Sequence, residues 1–350
     1  MWDTATVAEI TKFANKLAWT SPDLQVLRPD LAGQYPTIAE ILQDHIQKND
    51  ERKKLILPDL RAFGNETVAV FSDFGGEHKA ANYYTYSTLV CGWNLTDVFL
   101  HKMKTVRETH RLGEKEISFK DFGMGQVQRS LPDYLKALDF VPGLLLTVAI
   151  DKRIKSLFGT DADATTDLIN ETLEAGGFGG RKKHVNEKLL RIIHITAFLT
   201  GLLAHDGHKL LWVTDHDSIS PNKALHENTL KLFQQVLNIY ARPGYTFPVL
   251  GGALPFEERS VDQLDLLSAT DIVAGTLDHY LTKRDDHNPD DILVKSGSDV
   301  VIRWLAHNGI GLKKSNIVIR ETEDGQLRYG TLDINLTDPP EGITEIPVVV

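Results

Sequence analysis

The 350 residues contain a single cysteine. That is too few for a disulfide framework or a cysteine-rich zinc site, and the expectation is a reducing, cytoplasmic setting. Long apolar runs are missing too: none reaches the ~20 residues that a membrane-spanning helix needs. The opening MWDTATVAEITKF has no basic segment followed by an apolar core, so no signal peptide is expected. Positive charge is in deficit. With 38 Lys and Arg against 48 Asp and Glu, the net charge is −10. This argues against coating nucleic acid by bulk charge, and leaves room for an enzyme with a local basic groove. A nucleophile elbow, a dinucleotide fingerprint, a P-loop and internal repeats are also lacking.

The composition that remains, 42% hydrophobic and 25% charged, is that of an ordinary globular protein. Its organising stretch is Thr67–Gly92. A β-branched, apolar run over Thr67–Phe71 meets Asp73, breaks at Gly75-Gly76 and returns as Asn82–Cys91, which reads as a hairpin. A third strand is expected at Glu116–Phe122, a fourth, buried on both faces, at Gly143–Ile150, and a fifth at Lys209–Thr214. Helices are expected at Leu95–Arg111, Arg129–Phe140, Asn186–Ala204, Ala224–Tyr240, Arg259–Lys283 and Asp299–Asn308. Residues 1–65 read as an accessory helical region that supports the sheet, with a partner-binding role as the alternative. Lys283–Asp291 reads as a polar loop. Asn316–Asn335, turning at Asp324-Gly325, reads as a C-terminal β-hairpin, and the tail Thr337–Val350 as a candidate edge strand. The expected fold is α/β: a mixed five-stranded sheet with helices on both faces in a core spanning residues 66–295, and a helix-and-hairpin extension over 296–350.

Three of the expected strands end in aspartate, Asp73, Asp151 and Asp215, although aspartate is a poor strand residue. At the carboxyl ends of neighbouring strands such side chains meet in one crevice. Asp271 lies inside the apolar helix LLSATDIVAGTL, on a face with Ala274 and Gly275. A carboxylate there is costly unless it is paired or bound to a cation. Converging carboxylates suit hard cations with oxygen ligands, Mg²⁺ or Mn²⁺, and two such ions are the usual device for in-line attack on a phosphodiester. Each acid also has a plain reading. Asp73 would cap a turn, Asp215 would cap the segment after it and compete with Asp217, Asp151 would pair with Lys152, and Glu116 would face solvent. Glu77 and Asp121 lie near the same strand ends.

Two further clusters stand out. The AHDGH segment at 204–208 has histidines three apart, close to His216; a turn ending a helix accounts for it better than zinc. The segment GGFGGRKKH at 176–184 is glycine-rich and basic, and Arg181, Lys182 and Lys183 would contact nucleic-acid phosphates or simply solvate a loop. Cys91 has no acid-base partner in the sequence and reads as core.

Five of these segments resemble the bacterial "domain of unknown function 3800" family, whose fold is ribonuclease H-like. SDFGG at Ser72–Gly76 is similar to its Asp-Glu-Ser-Gly turn, and EISFKDF at Glu116–Phe122 to its Glu-x-Lys segment. TVAIDK at Thr147–Lys152 and WVTDHDS at Trp212–Ser218 resemble its later strands, and Leu266–Leu277 its closing helix. The resemblance spans about residues 67–285. It implies a ribonuclease H-like core and a metal-dependent nuclease-like site carried by Asp73, Asp215 and Asp271. Asp151 or Glu116 would complete the ligand shell, and Lys120 or Lys152 would steady the phosphate. The chain departs from the family at Phe74, where Glu is usual, and at Ser268 and Thr270, where Gln and Ala are expected. The first change removes a possible ligand, with Glu77 near enough to replace it. The expected activity is hydrolysis of DNA or RNA. The alternatives are a non-catalytic binding or regulatory module, as in a toxin–antitoxin or defence system with a protein partner or a second copy, and a phosphatase acting on a small phosphoester.

Overall fold

The architecture follows from how β-branched and apolar runs are spaced between amphipathic helices. The computed structural model describes residues 4–159, 161–215, 217–254, 260–286 and 295–334. Helix α1 (Thr4–Leu17) leads into β1 (Ala18–Trp19), which pairs antiparallel with β2 (Leu57–Pro58) across α2 (Thr37–Glu51). The main sheet begins with β3 (Thr67–Gly75) and β4 (Tyr83–Gly92). Helices α3 (Asp97–Thr109) and α4 (Gly125–Leu138) lead to β5 (Gly143–Asp151), and α5 (Ala162–Ala175) and α6 (Lys183–Leu203) lead to β6 (Lys209–Thr214). Helix α7 (Lys223–Tyr240) precedes β7 (Leu250–Ala253). Then come α8 (Val261–Asp286), α9 (Ser298–Leu305) and the hairpin β8 (Leu312–Glu321) and β9 (Leu327–Thr331).

Among the described residues the main sheet has seven strands in the order β7-β6-β3-β4-β5-β8-β9. Strand β3 is antiparallel to β4 and parallel to β6; β4 is antiparallel to β5; β6–β7 and β5–β8 are parallel; β8–β9 is antiparallel. All nine residues of β5 are buried, as a near-continuous apolar run in a doubly covered sheet should be. Period-two alternation divides β3 between two cores. Val68 and Val70 pack with α2, α6 and α7, whereas Ala69 and Phe71 pack with α3, α4 and α8.

The main sheet departs from the sequence reading in three places. Glu116–Phe122 is not a strand: it runs into a short 3₁₀ turn, Phe119–Gly123, laid against α8. The backbone N–H of Phe119, which a ladder would have used, is donated instead to the Asp271 carboxylate at 2.8 Å. Strand β7, LGGA, carries two glycines and so has little strand propensity. A Cβ at Gly252 would overlap the side chain of Leu230 on α7, so the glycine is what lets helix and strand approach. The expected C-terminal hairpin forms, with Gly325 at φ +77° in its turn, but β8 pairs with β5 and extends the main sheet, which makes seven strands rather than five. The edge strand expected at Thr337–Val350 and most of the polar loop Lys283–Asp291 lie outside the described residues. Among the described residues no helix is long and apolar enough to cross a membrane.

The N-terminal region packs on this hairpin. Ile38, Leu42 and Ile46 of α2 are fully buried. His45 Nε2 lies 2.8 Å from Ser315 Oγ on β8, and Asn49 Nδ2 donates to Thr331 Oγ1 on β9 at 3.0 Å. Burial pushes the His45 imidazole down to about 4. The unfolded chain therefore takes up this proton near pH 6.5 and the folded chain only near pH 4, so acid favours unfolding between those values. The stability at stake is about 3 kcal/mol, from a shift of roughly two and a half units. Replacing His45→Gln should flatten the fall in stability between pH 6.5 and 4 by about that amount, read by urea unfolding at several pH values; an unchanged slope would contradict the assignment.

Candidate functional site

Two strand ends and one helix converge at the carboxyl edge of the central strands. Register places Ser72 of β3 beside Thr214 of β6, so Asp73 and Asp215 follow side by side on adjacent parallel strands roughly 4.8 Å apart. Helix α8 crosses this edge. Thr85 Oγ1 on β4 donates to the Ala274 carbonyl at 3.0 Å, and a Cβ at Gly75 would lie only 3.3 Å from the same carbonyl. This close approach brings Asp271, one turn earlier on α8, toward the strand ends.

The electrostatics show which acids share the space. Asp73 is held well above the ordinary carboxylate range, chiefly by burial and then by Asp271 and Asp215. Burial raises Asp271 to about 6, with Asp215 adding to it and the Phe119 N–H, Lys120 and Lys295 opposing it. Glu116 rises to about 7, by burial first and then Asp271, against the pull of Lys120, whose ammonium lies 3.6 Å away. Asp73, Asp215, Asp271 and Glu116 thus form one electrostatically coupled group. Among the described residues no group of three or more His, Cys, Asp or Glu side chains is already drawn together tightly enough to hold a metal ion. Asp73 Oδ1 is occupied by the Phe74 N–H at 2.7 Å, and Asp271 Oδ2 by that of Phe119. The donors are all carboxylate oxygens, which fits a hard divalent cation.

Comparison of the chain with family models, curated proteins and solved structures gave no match.

The remaining sequence candidates separate from this group. Asp151 stands apart. The β5 residue level with Asp73 is Thr147, and Asp151 is four residues beyond it, roughly 13 Å along a strand that is itself two strands away. Its carboxylate is clamped by the Arg153 guanidinium at 2.5 Å; burial pushes it up, but these hydrogen bonds bring it below the ordinary range. Arg181 points inward, donating to the Ile219 carbonyl at 2.9 Å and to Thr229 Oγ1 at 2.6 Å, so it pins the glycine-rich segment to α7. Lys182 is the N-cap residue of α6, and Lys183 pairs with Asp167 at 3.0 Å. His205 and His208 lie at the opposite end of β6, where the His208 ring accepts the His205 N–H; His216 is outside the described residues.

Between the competing acids Asp215 and Asp217 the structure distinguishes roles. Asp217 Oδ2 accepts from Lys188 Nζ at 2.6 Å and its Oδ1 from the Ile219 N–H at 2.9 Å. The same ammonium reaches Glu77 at 2.7 Å and lies 5.0 Å from the centre of the Phe74 ring. Lys188 carries no sequence signal of its own: it sits in an apolar helix beside Glu187 and Arg191, and only the fold brings it to Asp217 and Glu77. Sequence reasoning passed over Lys295 as well. Its ammonium donates to the Phe119 carbonyl at 2.6 Å and covers the Phe119 ring at 4.4 Å.

Gly275 is the counterpart of this arrangement on α8, since a Cβ there would collide with the Phe119 ring. The substitution Gly275→Ala should displace the Phe119 turn and destabilise the protein by about 1–3 kcal/mol, the usual range for overpacking, in chemical denaturation. Wild-type stability would show that the contact is not limiting.

Proposed function

We propose that the chain is a divalent-metal-dependent nuclease on a ribonuclease H-like core. The observation that carries this reading is the convergence of Asp73, Asp215 and Asp271 from three separate elements into one coupled, part-buried group. The fold reading is supported by strand order. Taken alone, β3 to β7 stand third, second, first, fourth, fifth across the sheet, with only the second reversed. The acids follow the first and fourth of these strands and sit on the closing helix.

In this reading Asp73, Asp215 and Asp271 hold Mg²⁺ or Mn²⁺, and Glu116 completes the set. Bound metal supplies an activated water and a counter-charge for the leaving oxygen. In the same reading Lys120 and Lys295, whose charges already pull on Asp271, would meet the phosphate. One observation favours the alternative of a non-catalytic binding module on the same fold: among the described residues the carboxylates are not drawn together into a ready metal cage.

The deciding experiment is cleavage of labelled single- and double-stranded DNA and RNA with Mn²⁺, comparing wild type with Asp271→Asn. Loss of a ligand should cost more than the roughly 100-fold typical of outer-shell changes. Equal rates, or no cleavage of any substrate, would remove the nuclease reading. Metal alone gives an independent expectation. Mn²⁺ at about 100 times its dissociation constant should stabilise the wild type by about 2.7 kcal/mol, and Asp73→Asn should lose most of that shift in thermal unfolding.

A further inference from the structure

Because successive strand residues point to opposite faces, Phe74 turns away from the carboxylates and toward α6. Its ring packs on Tyr86 at 6.1 Å between centres. On that face a cleft of about 700 Å³ opens between the ends of β3, β4 and β5 and the start of α6. This volume is in the range of small-ligand sites. Lys152, Lys155, Lys183, Lys188 and Arg191 line it against only two acids, Glu77 and Glu187. A surplus of positive charge at one place in a chain of net charge −10 is a local device, not a reflection of composition.

These cations are committed to different degrees. Lys188 is held by Asp217 and Glu77, and Arg191 by Glu187 at 2.6 Å, so both serve mainly to shape the wall. The Lys183–Asp167 pair is largely exposed on both sides and therefore weak. Lys152 donates to a backbone carbonyl, that of His78, at 2.7 Å, and Lys155 is exposed. Neither is in an ion pair with a carboxylate among the described residues. The cations alternate with rings: Lys152 lies 5.0 Å from the centre of the half-buried Tyr84 ring, and Lys188 5.0 Å from that of Phe74. The cleft adjoins the carboxylate edge across the thickness of β3, since Phe74 and Gly75 directly follow Asp73 and Ser218 belongs to the same turn as Asp217.

Cations uncommitted to acids, spaced between part-exposed aromatic faces, are what a flexible phosphodiester chain with planar bases requires. We propose that this cleft binds a single-stranded nucleic-acid segment, with Lys152 and Lys155 on its phosphates and Tyr84 and Phe74 against its bases. The inference rests on the nucleic-acid reading of the adjoining site and adds that the strand reaching that site is unpaired.

The test is fluorescence anisotropy with 5′-fluorescein-labelled oligothymidylate and oligouridylate of about 12 nucleotides, in EDTA so that no cleavage occurs. The full chain is compared with the Lys152→Ala, Lys155→Ala double variant and with Tyr84→Leu. The double variant should bind at least about tenfold more weakly, and its log affinity against log salt should be shallower by about 1.4, for two phosphate contacts to a single strand. Tyr84→Leu should weaken binding about tenfold with an unchanged salt slope, as loss of stacking does. Thermal unfolding at the wild-type midpoint certifies both variants. Affinity and slope unchanged in the double variant would overturn the proposal, as would no binding by wild type. Displacement by AMP or by polyglutamate as readily as by unlabelled oligonucleotide would overturn it in favour of a free nucleotide or an acidic chain. Binding that follows the prediction without cleavage under Mn²⁺ upholds the cleft and removes only the nuclease reading.

Discussion

Everything at the carboxyl edge depends on how closely α8 can lie against β3 and β4. Gly75 has no side chain, and Thr85 spends its hydroxyl on the Ala274 carbonyl, so helix backbone and sheet meet without intervening bulk. A larger residue at 75 would lift the helix and carry Asp271 away from Asp73 and Asp215. The second support is the Phe119 turn, which fills the space left by Gly275 and donates its N–H to Asp271. Helix, sheet and turn thus fix one carboxylate from three sides.

The same packing has an electrostatic consequence. Acids from separate elements, brought under protein cover, raise one another's proton affinity after burial has already done so. Lys120 and Lys295 relieve part of this at Asp271, but neither forms an ion pair with it, so the negative potential is moderated and not cancelled. Across the strand the balance is opposite. Asp217 and Glu77 share the Lys188 ammonium, and the other cations of the cleft give that face its positive surplus. Two neighbouring sites of opposite sign are therefore separated by the thickness of a single strand.

How much of this could be read in the sequence varied with the kind of signal. Asp271 was legible because a charge on an apolar, small-residue face has to be accounted for, and β5 because an uninterrupted apolar run has few other homes. Asp215 and Asp73 were legible as strand ends, but their adjacency was not, because strand order is set by long-range pairing. Asp151 looked equivalent to them for the same reason; its register and its Arg153 clamp appear only in three dimensions. The Glu116–Phe122 alternation misled because period two does not reveal whether a neighbouring strand exists to complete the ladder. Strand β7 hid behind two glycines whose purpose is the contact with α7.

Phe74 shows how a single position changes meaning once the faces are known. By the resemblance noted in the sequence, a glutamate is expected beside Asp73, and Phe74 then reads as a lost ligand. In the fold, side chains 73 and 74 leave the strand in opposite directions. A glutamate at 74 would face Lys188 and Tyr86 and not the coupled acids above α8. The departure therefore takes nothing from the carboxylate group. What it changes is the other face, where an aromatic ring replaces a charge that would have competed with Glu77 and Asp217 for one lysine. With the ring in place, Lys188 is shared by two acids, and Lys152 and Lys155 form no ion pair with a carboxylate among the described residues.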